Sequence, residues 1–163
     1  MKTKFLWIED NARTDLKRLL APVFMSGKYD PVVAPTVAEG VYRMKHAEFA
    51  AVIVDIRLLP GNDSDWEALY NKLGRDKGTA RLGLCLLYSL FGPRLDDVKI
   101  EDEAGKLRWI DPKRFGVLTV EDLNGELKEA LESFHIEIYE QKTAYTPNTT
   151  LLNLLERITK GAA

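Results

Sequence analysis

Ala51-Val52-Ile53-Val54-Asp55-Ile56-Arg57-Leu58-Leu59-Pro60-Gly61 decides how the rest of the chain reads. It opens on small and β-branched apolar residues bounded by turn formers, the pattern of a strand buried on both faces. It ends on a carboxylate, although Asp suits strands poorly and a buried ion is costly. Asp55 stands where a central strand runs out into the loop 56–61, the place where open parallel sheets keep their chemistry. Taken alone, Asp55 reads more simply as a cap for the turn before Pro60-Gly61.

Outward from that strand, helices and strands alternate. Lys4 to Ile8 reads as a first buried strand that stops on Glu9-Asp10, with Asn11 as a polar cap for a helix carrying Leu16, Leu19, Leu20 and Val23. Pro22 should kink or end that helix near Leu20. Tyr29 to Val33 is a weaker strand whose Pro31 suits an edge. Thr36 caps a helix with Val37, Val41 and Met44 on one face, and Ser64 caps another with Trp66, Leu69, Tyr70 and Leu73. Leu82 to Tyr88 reads as a fourth strand ending at Ser89. Val98 to Trp109 alternates around Ala104-Gly105 and reads as a β-hairpin. Phe115 to Val120 is read as a fifth strand, and a helix beginning near Glu121 buries Leu123, Leu127, Leu131 and Phe134. Ile136 and Ile138 fit either a helix continuation or a strand. Past Pro147, the stretch 149–160 forms a last helix with a wide apolar face, which must dock on its own domain or on another chain.

The chain has 163 residues, enough for one domain with a proper core. Its net charge is −2, with 23 basic and 25 acidic side chains, so no electrostatic footprint for nucleic acid or an anionic membrane is expected. The N-terminal apolar run 5–8 is too short for a signal peptide or a span, and the reading is cytoplasmic. Cys85, the single cysteine, lies in an apolar run and reads as a buried, inert thiol.

Such alternation gives an α/β fold with a mostly parallel sheet and right-handed crossovers. The carboxyl ends of its strands face one edge, where Glu9, Asp10, Asp55 and Ser89 would converge. Converging carboxylates repel unless a hard cation neutralises them, and Mg²⁺ suits an oxygen set that keeps waters for exchange with phosphate oxygens. Asp55 could then attack a phosphoryl donor to give an acyl phosphate.

Phe5 to Asn11, Val52 to Asp55 with Leu58 to Gly61, and the strand ending at Ser89 resemble the receiver domain of two-component response regulators. The resemblance covers roughly residues 4–134. It implies a flavodoxin-like, doubly wound, five-stranded parallel sheet of order 2-1-3-4-5. By that resemblance Asp55 is the phosphoacceptor, Glu9 and Asp10 are the acidic pair for Mg²⁺, the backbone carbonyl of Arg57 is a further ligand, and Ser89 is the switch hydroxyl. The implied partners are a histidine kinase or phosphotransfer protein and a downstream protein, with a homodimer possible, and the output is by protein contact rather than enzymatic.

Against the family pattern, the lysine expected after the fifth strand falls on Val120 and the aromatic switch position on Val117. Lys113 is the nearest other lysine, and bulky Leu90 follows Ser89. The hairpin 98–109 stands in place of the fourth helix. Residues 1–135 then form the receiver-like domain and 136–163 a C-terminal extension with a helix. A phosphoacceptor receiver and a phosphorylation-independent pseudo-receiver both follow from these residues. An aspartate-dependent phosphatase is disfavoured, because that chemistry needs a second acid where Arg57 stands.

Overall fold

The computed structural model describes residues 1–10, 12–92 and 98–161; Asn11, read as a helix cap, and the acidic pair Asp96-Asp97 lie outside them. Five strands, β1 (Thr3–Ile8), β2 (Tyr29–Ala34), β3 (Ala51–Val54), β4 (Phe115–Thr119) and β5 (Ile138–Gln141), form one parallel sheet in the order β2-β1-β3-β4-β5. The expected order 2-1-3-4-5 is therefore present. Among the described residues, seven helices connect and cover the strands: α1 (Ala12–Ser26), α2 (Val37–His46), α3 (Ser64–Lys72), α4 (Lys77–Ala80), α5 (Leu82–Phe91), α6 (Gly125–Ser133) and the C-terminal helix α7 (Thr150–Gly161).

Alternation along the central strands divides the core in two. Leu6, Ile8, Val52, Val54, Phe115 and Val117 belong to one apolar cluster, with side chains of α2, α3, α5 and α6. Phe5, Trp7, Ala51, Ile53 and Leu118 belong to the other, covered by α1 and α7. Each fully buried large side chain contributes roughly 1.5–3 kcal/mol, so this double-sided burial is what makes β1 and β3 continuous apolar runs. The wide apolar face of α7 is closed within the chain: Leu151, Leu154, Leu155 and Ile158 are buried against α1 and the sheet.

Several expectations are corrected. Leu82 to Tyr88 is part of helix α5, not a strand. The run contains no β-branched residue, and its buried Leu82, Gly83, Leu86 and Leu87 recur at helical spacing. Phe115 to Thr119 is accordingly the fourth strand in sequence, and the fifth is Ile138–Gln141. Residues 136–161 thus supply an edge strand and a covering helix to the same sheet. Residues 98–109 carry no strand among the described residues; Glu103–Gly105 forms a 3₁₀ turn. Trp109 caps this segment internally, its indole N–H donating to the Met44 carbonyl (3.3 Å) and its ring meeting Phe49 edge-on.

Helix starts moved by a residue or more. Thr36 caps α2 as expected, its side chain accepting from the Glu39 amide, whereas Asp63 rather than Ser64 caps α3. α6 begins at Gly125 rather than near Glu121. α1 continues through Pro22 to Ser26, held by the buried Leu19, Leu20 and Val23. Tertiary burial outweighs the local cost of the proline.

Candidate functional site

The strand ends put four polar side chains at one edge of the sheet. Glu9 follows β1, Asp55 follows β3, Thr119 ends β4 and Lys142 follows β5. Backbone hydrogen bonds extend the ladder through these positions and fix their register: the Asp55 amide donates to the Ile8 carbonyl (3.0 Å) and the Lys142 amide to the Thr119 carbonyl (2.7 Å). Glu9, Thr119, Asp55 and Lys142 are all buried.

Carboxylate oxygens of Glu9, Asp10 and Asp55 converge within 4.8 Å of one another. Two ammonium groups offset them. Lys142 Nζ lies 2.7 Å from Glu9 Oε2, and Lys77 Nζ lies 2.5 Å from Asp10 Oδ2. Burial pushes the Asp55 carboxyl above the usual aspartate range. The Lys142 charge, the Thr119 hydroxyl, the Arg57 amide and the contact with Glu9 all oppose that rise. The Thr119 hydroxyl also accepts from the Glu121 amide at 3.2 Å, which fixes its orientation toward Asp55.

Asp55 opens into a cleft of about 380 Å³ lined also by Arg57, Arg75, Lys77, Val120 and Lys142. The Arg57 side chain turns toward Glu121, at 3.2 Å, and Arg81 reaches the same carboxylate at 3.3 Å. Two guanidinium groups thereby tie the loop after β4 to the loop after β3 and to the start of α5. At that start Gly83 is required by close approach. A Cβ there would stand 1.9 Å from the Asp55 carbonyl oxygen, while the Gly83 amide donates to the Ile56 carbonyl at 3.0 Å.

The structure therefore brings together Glu9, Asp10, Asp55 and the Arg57 backbone, but not Ser89. Ser89 lies on α5 and donates to the Val98 carbonyl at 2.9 Å. The hydroxyl beside Asp55 is that of Thr119, which Val120 follows. Lys142 follows the fifth strand, and Tyr139 stands three residues before it, the same offset that separates Val117 from Val120. The Ile136-x-Ile138 alternation before Lys142 was the available signal.

No protein-family profile and no curated protein sequence matches this chain. Solved structures do. The receiver domain of Francisella response regulator 1452 superposes with a TM-score of 0.58 at 14% identity, over 98% of this chain and 99% of that one. The chain has the receiver fold. A second receiver structure, that of sensor histidine kinase PA1611 from Pseudomonas aeruginosa PAO1, was solved with magnesium in its active-site cleft; it is 17% identical (TM-score 0.54, 98% and 99% covered). A Burkholderia pseudomallei response regulator carrying a phosphorylated aspartic acid, calcium and citrate is 20% identical (TM-score 0.53, 99% of this chain and 69% of that one). Among the described residues no helix is long and apolar enough to cross a membrane.

Proposed function

We propose that this chain is a phosphorelay receiver in which Asp55 accepts a phosphoryl group, Glu9 and Asp10 hold Mg²⁺ with Asp55 and the Arg57 carbonyl, and output passes through protein contact. The observation that carries the reading is Lys142, a buried cation at the end of β5 beside the carboxylates that converge on Asp55. In this reading a carboxylate oxygen of Asp55 attacks phosphorus in line, the bond to the donor's nitrogen or oxygen breaks, and the leaving group takes its electron pair and a proton. Lys142 and the Thr119 hydroxyl then face the phosphoryl oxygens and stabilise their charge, and the low-dielectric surroundings strengthen both contacts.

The residues fit the metal. Asp10 Oδ1 is buried with no hydrogen-bond partner while its other oxygen pairs with Lys77, and an all-oxygen set with few carboxylates suits Mg²⁺. A bound magnesium ion would supply charge neutralisation at the transferring group. The donor of the phosphoryl group would be a histidine kinase or phosphotransfer protein, and the setting cytoplasmic.

Beryllium fluoride mimics an acyl phosphate on a carboxylate and tests the site without a kinase. With Mg²⁺, fluorine NMR should show protein-bound resonances that Asp55→Asn abolishes. Their absence from the folded native chain would support instead a pseudo-receiver that binds its partner irrespective of phosphate, a reading that Lys77 on Asp10 favours.

A further inference from the structure

Of the two ammonium groups at the acidic cluster, one is a fixture and the other has a way out. Lys142 is enclosed, with its side chain 8% exposed, whereas Lys77 is 36% exposed at the lip of the cleft. Lys77 comes from the short α4, whose position is set by Asp76: its carboxylate accepts from the Gly78 and Thr79 amides at 2.9 and 3.1 Å. This delivers the Lys77 ammonium to an Asp10 side chain that is only 8% exposed and whose second oxygen is buried without a hydrogen bond.

We propose that Lys77 is a tethered cation that occupies Asp10 in place of a divalent metal and must be displaced before the metal binds. The inference rests on the receiver reading of the same cluster. As ligands of a divalent metal, Glu9, Asp10 and Asp55 are all ionised and carry three negative charges, and Lys77 with Lys142 carries two positive. Adding a dication while both ammoniums stay over-neutralises the site; releasing Lys77 into the cleft mouth balances it. Lys77 is therefore a device that raises the metal concentration at which the site becomes competent.

Mg²⁺ titration by calorimetry on the full chain and on Lys77→Met tests this. Lys77→Met should bind Mg²⁺ up to about fivefold more tightly, the effect of removing one competing ion pair at a partly exposed site. Equal or weaker binding in Lys77→Met would overturn the competition and leave the metal reading standing. Failure of both forms to bind Mg²⁺ would overturn both. The native chain gives an independent readout: Mg²⁺ should raise the rate at which an amine-directed acylating reagent modifies Lys77, read by peptide mass spectrometry. An unchanged rate at saturating Mg²⁺ would contradict displacement.

Discussion

Lys142 Nζ and Glu9 Oε2 are 2.7 Å apart, joined across 133 positions of sequence, with side chains 8% and 0% exposed. This pair connects the end of an edge strand to the end of a central one and stands next to Asp55. It makes the last strand part of the site as well as of the sheet.

Removing one member of a buried ion pair costs about 3–5 kcal/mol, since the other charge keeps its desolvation penalty. Lys142→Met should lower stability by that order in urea denaturation. The double variant Lys142→Met/Glu9→Gln should recover most of the loss. Equal stability of the single and double variants would show that the pair is not coupled.

Asp55 has a folded-state pKa above its unfolded value, chiefly from burial. The fold thus favours the neutral acid: that stabilisation is complete below the ordinary aspartate pKa and is lost as pH rises through the folded value. Asp55→Asn should therefore melt higher than the native chain near neutral pH without added metal, by about 2–4 °C per kcal/mol recovered. The difference should shrink as pH falls toward about 4. Thermal melts across that range check it, and a lower melting temperature for Asp55→Asn at neutral pH would contradict it.

Thr119 is the hydroxyl at the site, and Ser89 is committed to the Val98 carbonyl. Thr119→Ala should reduce the yield of phosphorylated protein about fivefold, the equivalent of about 1 kcal/mol for one hydrogen bond. Ser89→Ala should leave the yield unchanged. Time courses with acetyl phosphate separate the two residues.

α7 is a structural cover for the sheet. Leu154→Ala removes a fully buried side chain from that contact and should cost about 2–5 kcal/mol. Chemical denaturation measures it. A loss below about 1 kcal/mol would mean that the helix is not docked as described.

The first and third strands were legible because Phe5 to Ile8 and Ala51 to Val54 are buried on both faces, and their acids stood out as polar groups at the ends of apolar runs. Half of the site was therefore visible without coordinates. The remainder was obscured by two ambiguities. Leu82 to Phe91 is apolar enough for either a buried strand or a buried helix, and the strand reading shifts every later strand by one. β5 is a half-exposed edge strand, Ile-Tyr-Glu-Gln, with weak alternation, so the lysine behind it went unassigned. Lys77 gave no sequence signal at all. Its contact with Asp10 spans 67 positions and depends on how Asp76 caps a four-residue helix.

The most direct measurement is intact-protein mass spectrometry after incubation with acetyl phosphate, with and without Mg²⁺, on the native chain, Asp55→Asn and Lys142→Met. A Mg²⁺-dependent phosphoryl adduct on the native chain, absent from Asp55→Asn and diminished in folded Lys142→Met, is the expected result. No adduct on the native chain, or an adduct that persists in Asp55→Asn, would contradict Asp55 as the phosphoacceptor.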